Sequence, residues 1–275
     1  MSFLDKDSFF YTAIKCGFPN ASNIRRPESC HTSKPVFIAD TRRRGSVICK
    51  FVDARIAARD KQVSKKLTSM GFPLQKIDIH GYMAQWYEVY KYNTNRTFDQ
   101  HIKDSMGEDK IFETYKQLLD FQAKLADCSL DDIYVAAGKY FSDVYKITAP
   151  ATRSRMLTTI YSAIIKIVSR YKNPHVVHCD LKPKNVICTP DGDLDQVIDI
   201  TGIALASEEF AMMSLLESFP LQGKSEELMD YYDKITHRKL NRDFIRMGLK
   251  IVRKKQKVQS ALRGIKNALT LGRTK

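Results

Sequence analysis

The chain reads as an α+β protein of two lobes, a small antiparallel-sheet lobe followed by a mainly helical one. Three observations lead there. Short β-prone runs separated by turn residues fill the stretch up to residue 90, and broad apolar faces at helical spacing dominate the stretch beyond it. The length of 275 residues, with 43% hydrophobic and 28% charged side chains, is enough for two lobes around one cleft. The divisions expected are an N-terminal lobe over 1–90, a C-terminal lobe over 91–233, and a basic amphipathic helical tail over 234–275 packed on or extending that lobe.

Asn23-Ile24-Arg25-Arg26 and Val36-Phe37-Ile38-Ala39 read as the first two strands, with a polar loop over 28–34 between them. Arg42-Arg43-Arg44-Gly45 makes a turn into a third, β-prone strand over 46–52 that contains Lys50. Ile56, Val63 and Leu67 recur at helical spacing, so 54–70 is expected to be a helix, stopped by Gly71-Phe72-Pro73 and carrying Asp60 on an early turn. The apolar run 82–90, with the sole tryptophan Trp86, reads as one strand. Helices are expected over 109–126, with Ile111, Tyr115, Leu118, Leu119 and Leu125 on one face, and over 156–171. The stretch 129–150 fits neither pattern well and reads as an insertion with a helix around 134–145.

The next stretch holds the chemistry. His178-Cys179-Asp180-Leu181-Lys182-Pro183-Lys184-Asn185 is followed by a Pro190-Asp191-Gly192-Asp193 turn and an apolar strand, 196–198, that delivers Asp199 at its end. These spacings suit phosphoryl transfer from a metal nucleotide. The block resembles the catalytic loop and metal-binding strand end of the protein-kinase-like superfamily, H-R-D-L-K-P-x-N followed by D-F-G. The resemblance implies a bilobal kinase-like fold, with ATP and Mg2+ (or Mn2+) as cofactors. It makes Asp180 the group that positions an attacking hydroxyl, Lys182 the stabiliser of the transferring phosphoryl, and Asn185 and Asp199 the metal ligands. It assigns Lys50 to the other phosphates and the backbone of Glu88 to Tyr90 to an adenine edge. Asp60 is the nearest substitute for that lysine's usual glutamate partner on the helix, and an Asp60 that only favours Arg59 and Lys61 on a solvated face is the alternative kept open.

Four departures from the family pattern stand out. Gly45 is the only glycine between Ile24 and Lys50, so the phosphate-cradling glycine loop is replaced by 28–34, where Ser29, Thr32, Ser33 and Lys34 would touch phosphate oxygens instead. No glutamate occurs between Lys50 and Glu88. Cys179 stands where many kinases carry an arginine that clamps a phosphorylated loop, so control by loop phosphorylation is not expected. No Ala-Pro-Glu follows Asp199, so the activation segment is reduced or rebuilt.

Lys182-Pro183 after Asp-Leu is similar to protein Ser/Thr kinases, and a protein hydroxyl is the acceptor expected first. The degenerate glycine loop and short second lobe are similar to outlying members, including some bacterial effector kinases. The alternatives kept open are a small-molecule phosphotransferase acting on an aminoglycoside, sugar or lipid, a nucleotide-binding pseudokinase, and transfer of AMP instead of phosphate. The formal charge of +14 is concentrated in the tail, where 234–275 holds fourteen lysines and arginines against Asp243 alone. A solvated helix face, an anionic membrane surface and a polyanionic ligand such as an inositol phosphate or phosphoinositide compete for it. Nucleic acid is not expected, because Phe244 is the tail's only aromatic. Six cysteines show no C-x-x-C pairing, so zinc is not expected, and Cys49 and Cys179 read as buried core residues beside the site. No run is apolar enough to span a bilayer and the N-terminus lacks a Sec-type signal, which points to a cytosol, the cell's own or a host's.

Overall fold

The computed structural model describes residues 6–27, 35–128 and 175–250. Its organising element is a five-stranded sheet in the order β1-β2-β3-β5-β4, antiparallel throughout. The strands are β1 (Ser22–Arg25), β2 (Val36–Thr41), β3 (Gly45–Val52), β4 (Asp78–Tyr82) and β5 (Gln85–Lys91). Alternation along β3 sends Val47, Cys49 and Phe51 to one face and Ile48 and Lys50 to the other. The first face packs with Phe37, Tyr87 and Val89 against Ala13 and Ile14 of helix α1 (Lys6–Gly17), an element the sequence reading did not anticipate. The second face looks into the cleft and is covered by α2 (Ala54–Ser69).

Local chemistry explains the boundaries of α2. The Asp53 side chain accepts from the Arg55 N–H at 2.8 Å, and Gly71 at φ +78 followed by Pro73 ends the helix. The run 82–90, expected as one strand, is instead broken by a hairpin turn. Met83 and Ala84 both adopt positive φ, 44° and 62°, and reverse the chain between β4 and β5. Neither residue is one that favours this geometry, so nothing in the sequence marked the turn.

The second lobe is built on α4 (Glu108–Ala126), reached through α3 (Phe98–Lys103), whose Thr97 and Gln100 form a reciprocal cap. Against α4 lie two small two-stranded antiparallel sheets, β6 (His175–His178) with β9 (Ile203–Ala206) and, in the loop between them, the hairpin of β7 (Val186–Cys188) with β8 (Leu194–Val197). The expected Pro-Asp-Gly-Asp turn joins β7 to β8, with Gly192 at φ +86 and Asp193 receiving Lys110 of α4 at 2.6 Å. Helices α5 (Glu208–Glu217) and α6 (Ser225–Thr236) complete the described part of the lobe. The core runs from Val63, Leu67 and Tyr90 through Leu118 and Leu119 to Leu215 and Tyr232, so the two lobes share apolar contact behind the cleft.

The start of the basic tail belongs to this core. Residues 242–250 are helical, with Ile245 and Leu249 buried, and Arg242 donates to Glu226, Asp230 and Asp233 of α6. Arg242 and Arg246 are thus neutralised within the chain. The remainder of the tail (251–275), the loop 28–34 with Lys34, and the expected insertion and helix within 129–174 lie outside the described residues. Among the described residues no helix is long and apolar enough to cross a membrane.

Ile14 is fully buried between α1 and the sheet. Ile14→Ala is expected to lower unfolding free energy by about 2–5 kcal/mol, measured by urea denaturation. A loss under half a kcal/mol would mean that α1 does not close this core.

Candidate active site

The loop after β6 is held from beneath by a histidine. His178 is fully buried, its backbone N–H donates to Gln122 Oε1 of α4 at 3.0 Å, and its Nδ1 accepts the Asp180 N–H at 3.2 Å. Burial lowers its pKa, so the ring is neutral with the proton on Nε2. Gly202 lies against this ring, and a Cβ there would sit 2.5 Å from His178 Cε1.

Above the ring, Asp180 and Asn185 are locked together. Asn185 Nδ2 donates to the Asp180 carbonyl at 2.8 Å and to its Oδ2 at 3.0 Å, which leaves the amide oxygen of Asn185 as a metal donor. The Asn185 carbonyl accepts the Ile198 N–H at 2.9 Å, fastening the loop to the residue before Asp199. Asp199 adopts a left-handed conformation, φ 60° and ψ 57°, which a short polar side chain tolerates and which turns its carboxylate out of the β8 direction. Lys182 Nζ lies 3.1 Å from Asp180 Oδ1 and 3.3 Å from Glu217 Oε2 at the end of α5. Burial opposes its charge, but Asp180 and Glu217 outweigh that and raise its pKa.

The opposite wall is Lys50. Its ammonium donates to Asp199 Oδ1 at 2.7 Å and to Thr201 Oγ1 at 3.3 Å, joining residues 149 positions apart. Burial raises the Asp199 pKa, and the adjacent Lys50 more than reverses this, leaving the carboxyl at about 2. The four residues the sequence singled out for one centre, Lys50, Asp180, Asn185 and Asp199, therefore converge on one cleft.

Three expectations need correction. Asp60 is fully buried on α2 but makes no ion pair with Lys50; it pairs with Arg59 at 2.7 Å and accepts the Thr201 hydroxyl at 3.0 Å. The Thr201 hydroxyl, which accepts from Lys50 and donates to Asp60, stands between the two. Glu88 and Tyr90 do not offer backbone to a ligand. The Tyr92 N–H donates to the Ser46 carbonyl, so the alternating ladder makes Lys50/Glu88 and Ile48/Tyr90 hydrogen-bonded pairs, and the sheet consumes those groups. The Glu88 side chain instead points into the cleft face, 3.9 Å from Lys50 and hydrogen-bonded by Tyr90. Burial first and the Asp60 carboxylate second push Glu88 up to about 8, so at neutral pH Asp199 alone is the counter-ion of Lys50.

The sequence reading missed Gln122, Glu217 and Thr201. Thr201 had a visible signal, since Asp199-Ile200-Thr201-Gly202 is one residue longer than D-F-G. The extra hydroxyl ties α2 to the metal-side aspartate, and Arg59 reinforces it by donating to the Ile200 carbonyl at 3.0 Å. The donor set, one carboxylate and one amide oxygen, suits Mg2+, which keeps waters and phosphate oxygens in its remaining positions.

No family model matches the chain, and no curated protein matches it in sequence. Solved structures do share its fold. Aminoglycoside 2'-phosphotransferase-IIIa in its GDP complex superposes with a TM-score of 0.63 at 14% identity, covering 95% of this chain and 93% of that one. Aminoglycoside phosphotransferase APH(3'')-Id from Streptomyces rimosus, in complex with ADP and streptomycin, gives 0.60 at 16% identity over 90% and 98%. An amicoumacin kinase in complex with AMP-PNP and Ca2+ gives 0.58 at 11% identity over 84% and 77%. The chain has the bilobal protein-kinase-like fold.

Two predictions rest on these environments. The Glu88 carboxyl titrates near 4.3 in an unfolded chain and binds its proton more tightly when folded. Stability from this group is therefore whole below about pH 4 and is lost as pH rises through about 8. Glu88→Gln should flatten the decline of Tm between pH 5 and 8.5 in thermal scans; an unchanged slope would refute the assignment. Burial pushes the thiols of Cys49, Cys179 and Cys188 up to about 12, whereas Cys16 is exposed. Iodoacetamide at pH 8, mapped by mass spectrometry, should alkylate Cys16 well before those three.

Proposed function

We propose that this protein transfers the γ-phosphoryl group of ATP to a hydroxyl of a small molecule. The observation that carries the reading is the 2.7 Å contact between Lys50 and Asp199 facing the Asp180–Asn185 pair, which unites a phosphate-binding cation, a metal carboxylate and a proton acceptor. Asp180 accepts a hydrogen bond from the attacking hydroxyl and holds its oxygen in line with the phosphorus. Asn185 keeps the Asp180 carboxylate oriented through its amide N–H groups. Lys182 stands beside Asp180 and offsets charge on the phosphoryl oxygens as they leave the nucleotide, while Glu217 holds that ammonium within reach. Lys50 orients the remaining phosphates. Asp199 and the Asn185 amide oxygen would hold Mg2+ or Mn2+, which when bound neutralises phosphate charge.

A small-molecule acceptor is supported by two facts. The sequence after Asp199 lacks the Ala-Pro-Glu segment on which a protein substrate would dock, and solved structures that share this fold include phosphotransferases named for aminoglycosides and amicoumacin. The protein-hydroxyl reading rests on Lys182-Pro183 alone.

The test uses labelled ATP with Mg2+ and a panel of sugars, lipids, aminoglycosides and protein extracts. Label from the γ-position should appear on a small molecule, and Asp180→Ala and Asp199→Ala should each reduce the rate by about 10²- to 10⁴-fold. Transfer from α-labelled ATP would indicate nucleotidylation instead, and label on protein alone would restore the Ser/Thr-kinase reading. A GTP arm distinguishes the nucleotide.

A further inference from the structure

A second binding site lies on the far face of the sheet. A cavity of about 690 Å3 opens between the end of α1, the β2–β3 turn and β4, lined by Phe18, Asn20, Arg42, Arg43, Arg44 and His80. That volume falls in the range of small-molecule sites. It is separated from the cleft by the sheet itself. His80 is the cross-strand partner of Tyr87 and stacks on its ring at 5.5 Å, and the Tyr87 hydroxyl donates to Ala13 of α1. Lys50 and Glu88 project from the opposite face.

The charge of this cavity is unusual. Three consecutive guanidinium groups occupy one tight turn, held in shape by Thr41, whose hydroxyl accepts the Arg44 N–H at 3.1 Å and donates to the Gly45 carbonyl at 2.9 Å. Arg44 is neutralised by Asp78 and its guanidinium lies 5.9 Å from the Phe18 ring centre. Arg42 and Arg43 are exposed, and no carboxylate of the described residues lies within ion-pair distance of either. Two adjacent uncompensated cations repel one another, and an anion shared between them relieves that repulsion. Guanidinium forks match phosphate oxygens in a bidentate manner. Asn20 adds an amide, and the Phe18 and His80 rings, 4.8 Å apart, give one apolar wall.

We propose that this cavity binds a small organic molecule bearing two or more phosphate groups, independently of the catalytic cleft. The phosphates lie against Arg42 and Arg43, and the organic portion rests on Phe18 and His80. Neither arginine takes part in the chemistry proposed for the cleft.

Inorganic tripolyphosphate is the probe, used with the full chain in metal-free, low-salt buffer and followed by titration calorimetry. Wild type and Lys50→Met, in which the cleft cation is removed, should both bind it. Arg42→Ala/Arg43→Ala should keep the Tm of wild type in the absence of probe and bind about tenfold or more weakly, the loss expected for one charge-assisted hydrogen bond. Hydrogen exchange at 17–21 and 41–45 should slow on adding probe to wild type. Equal binding by the double variant, protection confined to the cleft, or loss of all binding in Lys50→Met would each overturn the proposal.

Discussion

The contact between Lys50 and Asp199 is the constraint around which both lobes are arranged. A lysine on the inward face of a sheet is costly unless an opposite charge meets it, and here that charge comes from the other lobe. Lys50 has its place because β3 is central, with β2 and β5 on either side. Asp199 has its place because a left-handed turn follows β8, a strand paired with β7 and bonded to the Pro73 carbonyl. Each partner depends on hydrogen bonding that the other does not share, so the pair reports whether both lobes are assembled.

Around that pair the chain solves the problem of the missing helix glutamate in an unusual way. Asp60 turns to Arg59 and Thr201, and Glu88 from β5 fills the space beside Lys50 in protonated form. A second ionised carboxylate there would compete with Asp199 for the lysine. Keeping Glu88 neutral leaves Asp199 charged and Lys50 charged, each the other's partner across the cleft. The α2 helix is then coupled to the metal side through the Thr201 hydroxyl and the Arg59 guanidinium rather than through the lysine.

The two faces of the same sheet therefore have different electrostatics. The inner face balances Lys50 against Asp199 of the other lobe, whereas the outer face carries an apolar core under α1 and, at its edge, an arginine turn with little compensation. In the described part of the tail, by contrast, Arg242 and Arg246 are paired with acids of α6, and Arg238 with Asp127 and Glu208. Charge counts along the chain single out the tail, but whether a given cation is available depends on its pairing, which is visible only in three dimensions.

The 178–185 block and its Asp180–Asn185 pair, the strand around Lys50, the α2 and α4 helices and the Pro-Asp-Gly-Asp turn were legible along the chain because each is local. Hydrophobic period, stop residues and motif spacing act within a dozen positions. Helix α1, the Met83-Ala84 reversal, and the roles of Asp60, Glu88 and Thr201 were not legible, because each depends on a partner far away in sequence or on backbone geometry without a residue signature. Residue types and their spacing specify which groups are available for chemistry. Packing specifies which of those groups meet, since one step of strand parity decides whether a side chain faces the cleft or the other side of the sheet.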